Sequence, residues 1–433
     1  MSALEFMWSE EQKNIIHSNH LIKQVIAGAG SGKTATMIGL LEEREKTKSI
    51  PPENTVIVTF TKKATREFKE RCVKKGLSNK YHISTFHAFC YHVLKNYDNS
   101  KDWSKYKLLS ESKKWEITKE ILFPLRYVVG GIPFPILFKN DGKYFSELSE
   151  IGYKSFLSNF KLWKEKNYYF EFDDLISQFL QFLDTDSAGF VKERWKSLII
   201  DEFQDTDEVQ LEIIKKMNFR SITVVGDDWQ AIYGFRGATP KPFLDFPNHF
   251  PGVEQYFLST NYRSKDSIIQ ASLVPLKPNK DKIPKQVQTF RKEKGVFRIE
   301  RINDLETKPL EIWKEWFKKD PSCILLTRSN YRKQTWLDLG LPAAQVMTIH
   351  SAKGLEFSSV ILDLVLGWSE DGEGINEAEE RRILYVGLSR AKDNLVLLIA
   401  DKTKPDRLAD RMSADFSIRN RFRNRTLRWA RLW

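Results

Sequence analysis

The sequence predicts an α/β protein made of two parallel-sheet halves, and three observations carry that prediction. The apolar run Gln24 to Ala27 reads as a buried strand. It enters the glycine-rich stretch Gly28-Ala29-Gly30-Ser31-Gly32-Lys33-Thr34 and leaves it through the helix-forming residues Thr34 to Glu43. Leu198-Ile199-Ile200 is a second apolar strand, and it stops at two adjacent carboxylates, Asp201 and Glu202. From Val253 onward strands alternate with helix-forming stretches: Val253 to Leu258, Cys323 to Thr327, Gln345 to Ile349, Val360 to Leu364 and Leu395 to Ala400. Such alternation buries parallel strands beneath helices.

At 433 residues the chain exceeds one ordinary hydrophobic core, so two or more domains are expected. A content of 41% hydrophobic and 29% charged residues is globular rather than disordered. The formal charge of +12 favours a polyanionic partner without choosing between nucleic acid and a membrane surface. Cys72, Cys90 and Cys323 are scattered and form no CxxC pair. That argues against a disulfide framework, a zinc finger or an iron–sulfur site, and it suits a reducing cytosol. No apolar run approaches membrane-spanning length, and Met1 to Trp8 lacks the basic start and apolar core of a signal peptide. A cytoplasmic location is therefore expected.

Taken in order, Trp8-Ser9-Glu10-Glu11-Gln12 opens a helix with Ser9 as its cap. The Gln12 amide, donor and acceptor at once, suits an adenine edge. In the loop from Ala27 to Thr34, glycines let the backbone curl so that several N–H groups face one anion beside the positive end of a helix. Lys33 would reach the β- and γ-phosphates, and the Thr34 hydroxyl would ligate Mg²⁺. A nucleoside triphosphate is the expected ligand.

Thr55 to Phe60 is a β-branched strand leading into Thr61-Lys62-Lys63-Ala64-Thr65-Arg66. His82-Ile83-Ser84-Thr85-Phe86-His87 repeats that pattern. From about Tyr91 to Lys196 the chain is rich in aromatics and lysines, with helical spacing at Ser155 to Trp163 and Phe172 to Phe182. A mostly helical insertion is expected, with its Trp and Phe residues in a core and its lysines on a solvated face.

Beside a phosphate loop, Asp201 is placed to hold the Mg²⁺ shell, and Glu202 to orient and deprotonate an attacking water. Ser221 to Val225 is a strand delivering Gly226-Asp227-Asp228-Trp229-Gln230, and Tyr233, Phe235 and Arg236 beyond it suit base stacking and phosphate contact. Arg419, Arg421, Arg423, Arg425, Arg428 and Arg431, with Trp429 and Trp433, read as a nucleic-acid contact or as a plain basic tail.

Together these stretches resemble a superfamily 1 DNA helicase of the UvrD/Rep type, in an ordered series from Gln12 to about Ala391. The Gln motif is Gln12 and the Walker A loop is Ala27 to Thr34. Val58 to Arg71 and Ser84 to Phe89 resemble motifs Ia and Ib. Ile199 to Thr206 is motif II in its DExQD form, and Val224 to Ala238 is motif III. Leu258 to Ser264 resembles motif IV, Val346 to Phe357 motif V, and Glu379 to Ala391 motif VI.

The resemblance implies two RecA-like motor domains of the P-loop NTPase class. The first would comprise residues 1–90 and 196–257, with a 1B-like helical insertion at 91–195. The second would comprise 258–433, including the basic tail. The implied cofactors are ATP and Mg²⁺. Arg263 and Arg390 would be arginine fingers, because a fixed guanidinium suits the charge spread over a transferring phosphoryl group. Gln230 would sense the γ-phosphate, Tyr262 would stack on adenine, and Glu356 would approach the sugar. Phe60, Tyr233 and Phe235 would stack on bases, while Thr61, Thr85, His87, Arg236 and His350 would touch the strand.

The implied activity is ATP-dependent 3′-to-5′ movement on single-stranded DNA, with junctions of single and double strand as substrates. Three departures stand out. Trp229 replaces an acidic residue common before the motif III Gln, Ala35 stands where many relatives place an Arg, and Ser389 replaces a common Thr. The 2B insertion, expected before motif V, is absent or reduced to a turn, since Leu341-Pro342-Ala343-Ala344 runs almost directly into Val346. A partner protein supplying regulation or unwinding is one consequence. A nuclease domain after motif VI is disfavoured. A nucleotide-controlled clamp without autonomous unwinding, and an RNA motor, are the alternative readings.

Overall fold

The computed structural model describes residues 8–122, 150–234, 237–303, 307–366, 368, 376–401 and 408–416. The arginine-rich tail, part of the helical insertion, Phe235 and Arg236 lie outside the described residues. The chain forms two compact units, Met1–Ile83 with Lys196–Leu211 and Phe219–Trp433, and Ser84–Trp195 with Glu212–Asn218.

The strands of the first sheet are β1 (Ile22–Ala27), β2 (Thr55–Thr59) and β3 (His82–Thr85). After a two-residue pair in the second unit, β4 (Lys107–Leu108) and β5 (Tyr169–Phe170), come β6 (Ser197–Ile200), β7 (Ser221–Gly226) and β8 (Glu254–Leu258). The order is β3-β2-β6-β7-β1-β8, and the neighbours from β2 to β8 pair in parallel. All residues of β2, β6 and β7 are buried, as expected of unbroken apolar runs covered on both faces. This order brings the ends of β1, β7 and β6 side by side. The phosphate loop, Asp227 and Asp201 therefore emerge at one edge of the sheet, the carboxyl edge where open α/β sheets bind ligands.

Helix α1 (Glu10–Ile16) has the expected Ser9 cap, completed as a capping box by Gln12. Helix α2 (Lys33–Thr47) begins on Gly32 in the left-handed conformation and ends with Arg44 and Lys46 in its last turn, which suits its negative end. Helix α3 (Lys62–Lys74) is capped by Thr61.

The second sheet follows the short parallel pair β9 (Thr260–Asn261) and β10 (Gln288–Thr289). It consists of β11 (Val296–Ile302), β12 (Ile324–Thr327), β13 (Val346–Thr348), β14 (Phe357–Asp363) and β15 (Ala391–Ala400), in the parallel order β11-β15-β14-β12-β13. The fold is thus α/β with two parallel sheets, as the sequence predicts. Strand β11 was not anticipated, because at the sheet edge it alternates exposed Val296 and Arg298 with half-buried Phe297 and Ile299 and lacks a continuous apolar run. Between β12 and β13 stand only the helix Asn330–Asp338 and the turn Ala343–Gln345, and the two strands pair directly. Ala29, Trp229 and Ile232 share one buried cluster with Ile349, Leu384 and Tyr385, so apolar packing is continuous from the first sheet's loops into the second half.

The second unit is built on the helices Phe86–Tyr97, Glu111–Leu122, Glu150–Lys166, Phe172–Phe182 and Ala188–Arg194. Its aromatics are largely core: Phe89 packs edge-on against Phe179 and Trp195, and all three are buried. Phe172 and Phe190 are exposed exceptions. Lys164 departs from the expected solvated face, being buried between Glu171 at 2.7 Å and Asp174 at 2.5 Å. Cys72, Cys90 and Cys323 are free and buried. Among the described residues no helix is long and apolar enough to cross a membrane.

Candidate nucleotide and strand site

The phosphate loop holds its shape through backbone geometry that side chains would spoil. Gly30 and Gly32 have φ of +67° and +83°. A Cβ on Gly30 would lie 2.6 Å from Arg263 Cβ, and one on Gly32 would lie 2.9 Å from Gln12 Nε2. Ser31 Oγ donates to Gly28 O at 2.8 Å, Tyr262 N to Gly30 O at 2.9 Å and Asn261 Nδ2 to Ala29 O at 2.6 Å. Segment 258–263 therefore braces the loop from Ala27 to Thr34, and it sets Tyr262 and Arg263 beside it. Gln12 is buried with its carbonyl engaged by Ser9 N at 3.0 Å, while its amide nitrogen faces Gly32.

Lys33 Nζ lies 2.9 and 3.0 Å from the two carboxylate oxygens of Glu202. Burial works against the Lys33 charge, but Glu202, Asp201 and Asp227 outweigh it and hold the ammonium above its ordinary pKa. Burial, then the neighbouring Glu202 charge, push Asp201 up to about 7. Burial would raise Glu202 as well, yet Lys33 and Lys353 prevail and bring it down to about 2.

Glu202 is a non-glycine residue at φ 56°, ψ 42°, a left-handed conformation that costs on the order of 1 kcal/mol and persists where the surroundings demand it. Those surroundings are specific: Gln204 Nε2 donates to Glu202 Oε2 at 2.6 Å, and Gln204 Oε1 accepts from Asp227 N at 2.9 Å. Thr34, in the first turn of α2, is half-buried.

Gln230 Nε2 donates to Asp227 Oδ2 at 2.6 Å, and Gln230 Oε1 accepts from Arg390 Nη2 at 2.9 Å. Arg390 is almost fully buried and also donates to Val386 O and Leu355 O. Burial first, then Arg263, lower its pKa to about 9. Arg263 is paired with Glu356, Nε to Oε2, at 2.8 Å. Lys33, Arg390 and Arg263 are thus each engaged by an internal acceptor, Glu202, Gln230 and Glu356 respectively.

The expected strand contacts divide into groups. Phe60 and Tyr233 stack with centroids 4.8 Å apart and planes 22° apart. Lys353 Nζ sits 4.6 Å from the Tyr233 ring, and His350 lies 6.2 Å from it and bonds to Ile232 O. The Thr61 hydroxyl accepts from Ala64 N as a helix cap. Thr85 and His87 belong to the second unit, where Thr85 caps a helix and the His87 ring lies 4.5 Å from Phe172.

Sequence reasoning gave no role to Lys353, which donates to Asp205 Oδ2 at 2.5 Å and to Gln230 O at 2.8 Å. It joins the motif II and motif III loops to motif V, and its only sequence signal was membership of the Lys-Gly-Leu-Glu run. Gln204 was likewise visible only as the Gln of DExQD.

The description "UvrD/REP helicase N-terminal domain" matches residues 8–128 and 137–251, and "UvrD-like helicase C-terminal domain" matches residues 324–402. YjcD of Bacillus subtilis is 31% identical over 288 residues, covering 62% of this chain and 38% of its own length. The ATP-dependent DNA helicase PcrA of Staphylococcus aureus is 28% identical over 317 residues, covering 67% of this chain and 42% of its own. PcrA of Staphylococcus epidermidis is 27% identical over the same length. The matched region therefore spans 38 to 42% of these curated relatives. The N-terminal family match alone covers more than half of the chain, which belongs to the UvrD/REP helicase family.

Proposed function

We propose that the chain is an ATP-driven motor on single-stranded DNA that moves 3′ to 5′ and opens duplex at junctions. The observation that carries this reading is the unbroken chain of contacts Lys33–Glu202–Gln204–Asp227–Gln230–Arg390, which ties the phosphate loop to motif VI. ATP would sit on the loop from Ala27 to Thr34, with Lys33, Arg263 and Arg390 directed at its phosphates and Gln12, Tyr262 and Glu356 towards the nucleoside. In hydrolysis the oxygen of water bonds to the γ-phosphorus as the bond to the bridging oxygen breaks. The proton of that water passes to the Glu202 carboxylate, and ADP leaves.

Mg²⁺ fits the donor set. Among the described residues no cluster of three or more His, Cys, Asp or Glu could cage a metal, whereas Asp201 and Thr34 supply one carboxylate and one hydroxyl. That set suits an ion that keeps waters and substrate phosphates as its other ligands. The ion would offset charge on those phosphates.

Coupling to DNA follows from Lys353, which touches the motif II carboxylate Asp205, the Gln230 backbone and the Tyr233 ring together. Relief of the γ-phosphate contacts would be felt at the Phe60–Tyr233 stack, where bases are proposed to bind. The short β12-to-β13 connection supports the reading that the 2B insertion is absent or reduced to a turn. Duplex opening would then be unrestrained or would require a protein partner, and a forked-duplex assay on the purified chain separates the two. The primary test is ATP hydrolysis with and without single-stranded DNA or RNA, with Glu202→Gln as control. Strong stimulation by DNA, lost in the variant, is expected. Negligible turnover with tight strand binding would instead identify a nucleotide-controlled clamp.

A further inference from the structure

We infer that Lys285 is a positioning residue for the γ-phosphate sensor Gln230, acting through the Asp227 carboxylate; this rests on the ATPase reading of the same site. Lys285 lies in the lysine-rich stretch between β9 and β11, where neither motif nor spacing distinguishes it from its neighbours. In the structure its side chain is nonetheless buried. Its side chain is 4% exposed, and its ammonium lies 2.5 Å from Asp227 Oδ1 and 2.8 Å from Asp228 Oδ1, both on fully buried side chains. The same ammonium stands 4.3 Å from the Trp229 ring. Ile283 N donates to Asp228 Oδ2 at 2.9 Å, which anchors the approach of the segment.

What this does to Gln230 follows from donor and acceptor chemistry. Asp227 Oδ1 takes Lys285 and Trp229 N, leaving Oδ2 for Gln230 Nε2. An ionised carboxylate only accepts and a guanidinium only donates. With its amide nitrogen on Asp227, Gln230 must present its oxygen to Arg390, as it does at 2.9 Å. Without Lys285 only Trp229 N holds Asp227 Oδ1, so the carboxylate can rotate away from Gln230 Nε2 and release the Gln230 amide to flip. Trp229, the departure from the acidic residue common in relatives, supplies an aromatic wall for the ammonium where a third carboxylate would compete for it.

The test compares the full chain with Lys285→Met, Lys285→Arg, Asp228→Asn and the double variant Lys285→Met/Asp228→Asn. The double variant removes one positive and one negative charge, so the cluster keeps its net charge even if Lys285→Met alone does not fold. With saturating single-stranded DNA, the double variant is expected to lose about tenfold or more in kcat, with KM for ATP within about twofold and the melting temperature held. Lys285→Arg should recover most of the loss, and Asp228→Asn alone should stay near the parent value. Parental kcat in a folded double variant overturns the inference, as does an equal loss in Asp228→Asn. Should the parent chain itself fail to turn over ATP, the ATPase reading falls, and the crystal structure of the double variant judges the positioning role alone. A displaced Gln230 amide supports that role, and a Gln230 still bridging Asp227 and Arg390 overturns it.

Discussion

Glu202→Gln should tighten nucleotide binding while abolishing turnover. On the proposed reading Lys33 is the residue that the phosphates need, and its two short contacts to Glu202 would withhold it. Side-chain exposures of 12% for Lys33 and 25% for Glu202 place the pair in the partly buried range, where screening is incomplete. A hydrogen bond to a charged group contributes about 1.5–3 kcal/mol net. A glutamine retains part of the hydrogen bond but none of the charge, so about 1.5 kcal/mol is the share released to the incoming phosphate. That corresponds to roughly tenfold tighter binding.

Removal of a carboxylate beside the phosphates also lifts repulsion, which acts in the same direction. The assay is calorimetric titration of ADP and of a non-hydrolysable ATP analogue into both proteins in EDTA, so that metal binding does not enter. Affinity equal to or weaker than that of the parent, in a variant with unchanged melting temperature, would refute the view that Lys33 is withheld by Glu202.

Phe60→Ala removes half of the Phe60–Tyr233 stack, and base–aromatic stacking contributes about 1–3 kcal/mol, so fluorescence anisotropy with a labelled oligonucleotide should report roughly 5- to 150-fold weaker binding. Unchanged affinity would remove the stack from the strand path. Gly226→Ala puts a Cβ 2.7 Å from Gln204 Oε1 and 3.1 Å from the Phe243 ring, so overpacking by about 1–3 kcal/mol should appear in denaturant unfolding, together with a loss of turnover as Gln204 leaves Glu202.

Burial first, then Arg328, bring His350 down to about 4 from 6.5. Between those values the unfolded chain takes up a proton that the folded chain refuses, so this share of stability is intact above the upper value and drains as pH falls towards the lower. His350→Gln should therefore shrink the drop in melting temperature between about pH 7 and about pH 5, and an unaltered drop would exclude His350 as its source.

The parts of the site that could be read from sequence are those whose chemistry depends on chain neighbours. The glycines of the phosphate loop, the Asp201–Glu202 pair at a strand end and the Ser9 helix cap are each local, and each was legible. Lys353 and Lys285 were not, because a lysine that pairs with a buried carboxylate 148 or 58 residues away looks like any surface lysine in a basic chain. Strand β11 escaped for a related reason, its edge position being a property of the sheet rather than of the seven residues themselves. The exposure of Phe172 beside His87, within an insertion whose other aromatics are mostly buried, also depends on packing that no spacing encodes.

The apolar cluster that runs from Ala29, Trp229 and Ile232 into Tyr385 and Leu384 gives the packing between the two sheets' halves an elastic property. Parting the two halves there would hydrate the Trp229 ring, which is 5% exposed at rest. An aromatic side chain of this kind buries about 150–250 Å², or on the order of 4–6 kcal/mol at the usual area coefficient. Separation thus works against a restoring force that weakens on cooling, as hydrophobic attraction does. In the proposed cycle the closed arrangement would be the relaxed end, and the energy stored on opening would be returned when the halves meet again.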